Sequence, residues 1–169
     1  VTDLGIGGSL SETRYPKCGQ TNPQVRIGIV EIAGQAGNDA PATVMPDPIG
    51  HLVWADFDPA LDQYFGIPFW GPDSEELFIA RMPRLQNTID LYAVNHADGS
   101  KRHVYHETYK TWLNWFDGVI FTDNGLYMAR EFETGWQRIY FLSYDGKEFR
   151  RLTDGPNWDV ALVRVDEKK

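Results

Sequence analysis

Residues 112–146 read WLNWFDGVIFTDNGLYMAREFETGWQRIYFLSYDG, and this stretch decides the fold of the chain. It contains three short apolar runs, at 119–121, 126–129 and 138–142. Asn124-Gly125 separates the first two runs, Glu133-Thr134-Gly135 separates the second and third, and Asp145-Gly146 follows the third. Asn-Gly and Asp-Gly are typical of tight hairpins, because they supply the positive φ angles that such turns require. The runs are too short for helices and are rich in aromatic and branched side chains, so they predict strands.

The same pattern continues along the rest of the chain. Further strands are predicted at 25–32, 43–45, 64–70, 77–80, 89–95, 102–106, 149–153 and 159–165. Pro68 cannot donate a hydrogen bond to a sheet, which places its run at a sheet edge. Residues 1–13 are weakly patterned and predict a frayed or looped lead-in, and 50–59 predict a loop. Because no amphipathic helix pattern occurs, the predicted fold class is all-β.

An internal repeat indicates how the strands are arranged. Leu91-Tyr92-Ala93-Val94 followed by Asp98-Gly99 matches Ile139-Tyr140-Phe141-Leu142 followed by Asp145-Gly146, and Trp112 matches Trp158, at an offset of about 47 residues. A four-stranded unit of this period is typical of a β-propeller blade, which packs between two neighbouring blades. Such packing explains why the apolar runs are nearly continuous rather than alternating. The alternative is two unrelated hairpins that share the common Asp-Gly turn.

The number of blades predicts a partial β-propeller made of four-stranded antiparallel blades. Residues 14–169 provide about two full blades, from 64–106 and 119–153, with partial blades on either side. Closed propellers use about four to eight blades, so the end sheets of a shorter array would expose apolar faces. We therefore expect either a longer propeller that includes this chain or a homo-oligomer in which copies of the chain associate.

Composition and charge argue against several classes of function. The formal net charge is −8, which disfavours nucleic acid as a partner because phosphate binding needs a basic surface. No apolar stretch approaches the ~20 residues of a membrane helix. Cys18 is the only cysteine, so an intrachain disulfide and a cysteine-based zinc site are excluded, and a buried free thiol is expected. The chain opens on Val1 without a signal-peptide pattern, which suggests a processed or excised chain.

Several short motifs occur in an order that is typical of one family. They are Arg14-Tyr15-Pro16-Lys17-x-Gly19-x-x-Asn22-Pro23-x-Val25, Arg84-x-Gln86-Asn87 before Asp90-Leu91-Tyr92, Glu107-Thr108 before Trp112, Gly135-Trp136-x-Arg138-x-Tyr140, and Leu152-Thr153-x-Gly155 before Trp158. By their order and spacing, the chain from Arg14 onward resembles the N-terminal β-propeller domain of the dipeptidyl peptidase IV family, within the prolyl oligopeptidase class of serine peptidases.

The resemblance implies a parent enzyme that removes N-terminal dipeptides, often after proline or alanine. In that family a C-terminal α/β-hydrolase domain carries out the reaction, and the propeller shapes the substrate chamber and controls access to it. The expected partners of this chain are therefore that hydrolase domain and a peptide substrate. No cofactor and no metal are expected, and the resemblance suggests a periplasmic or extracellular location.

One candidate substrate site follows from the resemblance. The segment 112–117 resembles the family loop that lines the second substrate subsite. Within it, Trp115 and Phe116 would offer a flat apolar wall to a peptide side chain, and Phe116 aligns with an aromatic residue of the family. Asp117 stands where some members carry arginine, so a charge role at this position does not carry over. The alternative is that Trp115 and Phe116 simply pack between blades.

No catalytic group is predicted in the chain itself. The nucleophilic serine of such enzymes lies in the sequence Gly-x-Ser-x-Gly. None of the serines has these flanking residues: Ser9, Ser11, Ser74, Ser100 and Ser143. The family binds the free amine of the substrate with a pair of glutamates on a short helix, but Glu75-Glu76 lies at a hairpin and is interpreted as solvated surface. We expect the family's pair to precede Val1 and this chain alone to be inactive.

Two other polar pairs raise the question of different chemistry. His103 and His106 are three residues apart, so on a regular strand they would point to opposite faces, which predicts no metal site. Asp56 and Asp58 share one face of an extended segment and would suit a propeller glycosidase if a sugar lay between them. A stand-alone propeller module that binds protein or glycan is the main alternative to the peptidase.

Overall fold

The computed structural model describes residues 2–4, 10–12, 15–31, 51–116, 118–156 and 161–168, and these contain strands and no helix. The strands are β1 (Thr2–Leu4), β2 (Leu10–Glu12), β3 (Gly28–Val30), β4 (Leu52–Trp54), β5 (Gln63–Phe65), β6 (Phe69–Trp70), β7 (Glu76–Pro83), β8 (Thr88–Asn95), β9 (Lys101–Thr108), β10 (Ile120–Phe121), β11 (Gly125–Arg130), β12 (Arg138–Ser143) and β13 (Phe149–Arg151). The all-β prediction is therefore confirmed.

Most of the strands form two antiparallel sheets, each of which follows chain order. The first sheet has the order β5-β7-β8-β9, and β6 also pairs with β7. The second has the order β10-β11-β12-β13. Two smaller sheets, β1-β2 and β3-β4, precede them in the chain. Both sheets have the four-strand order that the repeat predicts for propeller blades, and in the first sheet two short strands, β5 and β6, share the edge position.

The first large sheet is buried on both faces. Along β7, Phe78 and Met82 point into the core between the two large sheets, whereas Leu77 and Ile79 point to the opposite face. That opposite face packs against Ile29 of the β3-β4 sheet. Since successive side chains of a strand alternate between faces, a strand covered on both sides needs apolar residues at every position. The nearly continuous apolar runs of the sequence follow from this stacking.

The core between the two large sheets is built from their central strands. Its fully buried members include Met82 of β7, Leu91 of β8, Met128 of β11 and Tyr140 of β12. Burying a side chain of this size contributes about 1.5–3 kcal/mol relative to leaving it exposed. Contacts among these four strands therefore provide much of the force that holds one sheet against the next.

The internal repeat appears in the structure as the same turn in successive sheets. Gly99 links β8 to β9 with a φ of 75°, and Gly146 links β12 to β13 with a φ of 74°. Each turn lies directly against the sheet before it, Gly99 against the backbone of Trp54 and Gly146 against the backbone of Val104. A side chain at either glycine would collide with that backbone. Trp158, the partner of Trp112 in the repeat, lies outside the described residues.

Two predicted strands near the edges of the sheets need correction. The run 64–70 is not one strand, because residues 66–68 interrupt it between β5 and β6, although Gly66 N still donates to Ala80 O of β7 at 2.9 Å. Both β5 and β6 pair with β7 at the sheet edge. Pro68, which has no backbone N–H to donate, lies between them at this edge, as the sequence indicates. The predicted loop 50–59 contains β4, which pairs with β3.

The ends of the chain also differ from the expectation. Within 1–13, β1 and β2 pair as a short hairpin instead of a frayed lead-in. Of the predicted strand 159–165, residues 161–165 have no strand structure, and 159–160 lie outside the described residues. The predicted strand 43–45 also lies outside them.

The turn between β10 and β11 is made differently from the prediction. Neither Asn124 nor Gly125 has a positive φ. Gly125 instead lies so close to the carbonyl oxygen of Leu142 and the ring of Phe141 that a side chain would not fit. The glycine therefore serves close packing between β11 and β12, and the hairpin is nevertheless formed.

A β-bulge in β9 changes the direction of its side chains. Leu91 pairs with Tyr105 and the next residue, Tyr92, pairs with His103, so Val104 is an extra residue on β9. His103 and His106 are three residues apart on β9, but their partners on β8, Tyr92 and Asp90, are only two residues apart. His103 and His106 consequently lie on the same face, and the prediction that they diverge is wrong.

Candidate functional site

The loop that follows β9 carries the predicted substrate-site residues. It is held to the first large sheet by backbone hydrogen bonds, from Tyr109 N to Asn87 O at 2.9 Å and from Leu113 N to Gln86 O at 2.9 Å. Leu113 is 3% exposed and belongs to the core between the large sheets. These contacts carry the loop from the first sheet towards the second.

A buried ion pair lies beneath this loop. Glu107 of β9 accepts two hydrogen bonds from Arg130 of β11, from Nε at 2.8 Å and from Nη2 at 2.9 Å. The Glu107 side chain is 1% exposed and the Arg130 side chain is 3% exposed. The Tyr105 hydroxyl also donates to Glu107, at 2.6 Å. Because the pair is bidentate and carries a further hydrogen bond, it satisfies the conditions under which a buried ion pair is tolerated.

Arg130 also organises the loop. Its Nη1 donates to the carbonyl oxygens of Asn114 at 3.1 Å and Trp115 at 3.4 Å. Its guanidinium lies 5.1 Å from the ring centre of Phe116, within the range of a cation–π contact. One side chain of β11 thus fixes the backbone of the loop and the position of its aromatic residue.

Burial and charge keep these groups in one protonation state. Burial, followed by the charge of Glu107, raises the pKa of Tyr105 far above its ordinary value. Burial alone would lower the pKa of Arg130, but the hydrogen bonds and charge of Glu107 outweigh it and raise the pKa. Tyr105 therefore remains a hydrogen-bond donor, and Arg130 remains a cation beneath the loop.

The loop forms one wall of an apolar cavity of about 440 Å³. The connection between β5 and β6 also lines it, with Gly66 lying against the Trp115 ring. The lining residues are Phe65, Gly66, Ile67, Pro68, Phe69, Ala80, Trp115, Phe116, Val119 and Phe121. Ile67 is 92% exposed at this site. Among the residues that the structure describes, the lining is aromatic and aliphatic with no charged side chain, which suits the cavity to an apolar group.

Of the predicted substrate-site residues, the structure brings Trp115 and Phe116 to the cavity. Both also pack against the core, so the packing role and exposure to the cavity exist together. Asp117 lies outside the described residues. Neither Arg130 nor the cavity wall at 65–69 is predicted from the sequence. Pro68 at a predicted sheet edge was a signal for that wall, whereas Arg130 carries no mark of burial in the sequence.

The other carboxylates of interest have local partners. Glu76 binds Arg102 through Oε1 at 3.0 Å and Oε2 at 2.5 Å. Asp56 lies 3.3 Å from the Lys101 ammonium. Asp58 accepts a hydrogen bond from the backbone of Ala60 at 2.9 Å. These contacts are those of turns and surface ion pairs, and they give no support to a glycosidase pair.

Two residue predictions outside the loop change with the structure. Cys18 is exposed, so the expectation of a buried thiol is wrong. His103 and His106 both approach Asp90: the Nε2 of His103 lies 3.1 Å and the Nδ1 of His106 lies 2.7 Å from Asp90 Oδ1. All three residues offer atoms within 4.8 Å of one another, a spacing that could hold a metal ion.

Comparison with known proteins assigns the chain to a family. The family described as dipeptidyl peptidase IV (DPP IV) N-terminal region matches residues 8–169. The chain belongs to this family. The "Probable dipeptidyl peptidase 4" of Emericella nidulans is 24% identical over 173 residues, which cover 94% of this chain and 20% of that protein. Dipeptidyl peptidase 4 of Trichophyton equinum is 24% identical over 164 residues, with the same shares covered.

Solved structures of the DPP IV type share the fold. A protein of Bacteroides ovatus assigned as a dipeptidyl aminopeptidase IV aligns with a TM-score of 0.64 and 20% identity, over 91% of this chain and 23% of that one. Dipeptidyl peptidase 4 of Porphyromonas gingivalis aligns with a TM-score of 0.53 and 22% identity, over 62% of this chain and 15% of that one. The prediction of a partial β-propeller is confirmed.

The extent of these matches bears on the whole protein. The chain spans about one fifth of the length of the curated relatives that it matches. Across the residues that the structure describes, no helix has both the length and the apolar character of a membrane span.

Proposed function

We propose that this chain is the non-catalytic propeller portion of a DPP IV-like serine exopeptidase that removes N-terminal dipeptides from peptides. In this proposal a hydrolase domain of the same polypeptide carries out the reaction, and the propeller contributes a wall of the substrate chamber. Family membership supports the proposal, as does coverage of about one fifth of each dipeptidyl peptidase 4 relative. We further propose a periplasmic or extracellular location, which cell fractionation tests.

The observation that carries the proposal is the apolar cavity beside Phe116. A side chain of the peptide would enter between the aromatic loop and the β5–β6 connection. Aromatic rings give a large apolar contact area at low conformational cost, which suits a proline ring or a short aliphatic side chain. Arg130 holds Phe116 in place before any peptide arrives, so little binding energy is lost in ordering the wall.

The test is the steady-state kinetics of the full-length polypeptide that contains this chain, measured on dipeptide amides. Phe116→Ala removes the ring from the cavity wall, and we expect kcat/KM to fall by about tenfold or more, consistent with losing ~1.5–3 kcal/mol of apolar contact. The loss should be larger for substrates with a bulky apolar residue at the subsite than for glycine at that position.

Trp112→Ala is the matched control. Trp112 lies in the same loop and is 60% exposed, but it does not line the cavity. Its substitution should leave kcat/KM within about twofold of the value for the unsubstituted full-length polypeptide. Equal effects of the two substitutions would contradict a role for the cavity. A full-length protein without any dipeptide-amide hydrolysis would contradict the peptidase and favour a propeller that only binds its partner.

A further inference from the structure

The geometry points to a binding site for a divalent transition metal ion, of the Zn²⁺ type, formed by Asp90, His103 and His106. Asp90 lies on β8 and the two histidines lie on β9, on either side of the bulge at Val104. This site is separate from the cavity beside Phe116, and it does not depend on the peptidase proposal. It would bind a metal ion on the face of the first large sheet that also carries Tyr92.

The ligand atoms already converge. The Nε2 of His103 and the Nδ1 of His106 lie 3.1 Å and 2.7 Å from Asp90 Oδ1, and all three atoms lie within 4.8 Å of one another. Zinc binds imidazole nitrogen at about 2.0–2.1 Å, which places ligands of a tetrahedral site ~3.3 Å apart. Rotation of the two half-exposed imidazoles would bring the atoms to this spacing, with the ring of His103 remaining beside that of Tyr92.

The surroundings orient the carboxylate. The Asp90 side chain is 10% exposed, and its Oδ2 lies 3.6 Å from the Arg81 guanidinium. Arg81 Nε in turn donates to Gln63 at 2.9 Å. Arg81 therefore directs Oδ1 towards the histidines, as outer partners of metal-binding carboxylates commonly do. Its positive charge also opposes a cation, so the site depends on strong bonds to imidazole rather than on net negative charge.

The ligand set selects the kind of metal. Two imidazole nitrogens and one carboxylate oxygen suit Zn²⁺, Ni²⁺ or Cu²⁺, whereas Ca²⁺ and Mg²⁺ need several oxygen ligands. The histidine side chains are 46% and 51% exposed, so water can complete the coordination from the solvent side. With three protein ligands the site resembles zinc sites that retain an open position.

The four histidines of the chain provide a matched experiment. His103 and His106 belong to the site, and His51 and His96 do not. Zn²⁺ is titrated by calorimetry into three chelator-treated proteins. They are the unsubstituted protein, the double variant His103→Gln with His106→Gln, and the double variant His51→Gln with His96→Gln. We expect the unsubstituted protein to bind one Zn²⁺ per chain. The variant without His51 and His96 should bind with unchanged affinity, and the variant without His103 and His106 should bind at least ~10-fold more weakly.

Two further measurements distinguish loss of metal binding from poor folding of a variant. Melting temperature without metal reports whether each variant is folded, and added Zn²⁺ should raise it in the unsubstituted protein but not in His103→Gln with His106→Gln. Imidazole ¹⁵N NMR should show coordination through Nε2 of His103 and Nδ1 of His106. Absence of Zn²⁺ binding to the unsubstituted protein would overturn the proposal. So would binding that survives loss of His103 and His106, or is lost equally with His51 and His96.

Discussion

The carboxylate of Glu107 and the guanidinium of Arg130 join two successive propeller sheets through parallel hydrogen bonds of 2.8 and 2.9 Å, away from solvent. The same guanidinium holds the carbonyl oxygens of the loop that carries Phe116. Stacking of the sheets and shaping of the cavity wall thus depend on one ion pair. The pair therefore links the stability of the fold to the candidate function.

Glu107→Gln should destabilise the protein strongly. The substitution keeps the shape of the side chain but leaves the buried Arg130 cation without its counter-charge, which costs about 3–5 kcal/mol. Denaturant unfolding measures the loss. Asp62→Asn is the control, because it breaks an exposed pair with Arg84 of equal length, 2.9 Å, and should barely move the unfolding midpoint. Similar losses in both variants would contradict a special role for the buried pair.

Gly146→Ala should also destabilise the stacking of the sheets. A methyl group there would lie 2.5 Å from the Val104 carbonyl oxygen of the preceding sheet, and the φ of 74° disfavours alanine. We expect a loss of about 2–4 kcal/mol from strain and overpacking together. Gly135 has a φ of 76° and open space around it, so Gly135→Ala is the control. It should lower the free energy of unfolding only by the backbone strain of alanine at positive φ, about 1 kcal/mol. Equal losses would mean that the turn does not contact the sheet.

Stability should fall at alkaline pH between about 10 and 12. Burial, with a hydrogen bond to Glu133, raises the pKa of Tyr140 from 10.0 to about 12. Over this range the unfolded chain releases the tyrosine proton and the folded chain keeps it, so rising pH favours unfolding. The contribution is intact below pH 10 and is lost as pH rises through 12. Urea unfolding at several pH values should show the decline, and a reduced slope in Tyr140→Phe; an unchanged slope would exclude Tyr140 as its source.

The 169-residue chain by itself should not hydrolyse dipeptide amides. None of its serines has the Gly-x-Ser-x-Gly surroundings of a nucleophile. Ser143, the serine that ends β12, donates to Asp145 at 2.7 Å in the hairpin turn. A chromogenic dipeptide amide measures any activity of the purified chain, with the full-length polypeptide as the positive control on the proposed function. Turnover by the chain alone would contradict the assignment of chemistry to another domain.

Local sequence signals predicted the strands of the two large sheets. The runs 126–129 and 138–142 became β11 and β12, and the turn at Asp145-Gly146 has the positive φ that its sequence indicates. Continuous apolar sequence correctly indicated that a sheet is covered on both faces. These features depend on residues that are close along the chain, which is why a single sequence contains them.

Features that depend on register or on distant partners were missed. The bulge at Val104 has no local marker, because it exists only in the pairing of β9 with β8. The burial of Arg130 follows from the position of Glu107, 23 residues earlier, and an arginine after an apolar run otherwise indicates surface. The short strand β4 lacks a periodic pattern and is recognised only by its pairing with β3.

The most direct measurement of the central claim is a structure of the full-length polypeptide with a slowly hydrolysed dipeptide amide bound. The proposed function predicts that an apolar side chain of the ligand occupies the cavity between Phe116 and the β5–β6 connection, in van der Waals contact with the Phe116 ring. A ligand bound in the chamber with this cavity left open, or with Phe116 turned into the core, would contradict it.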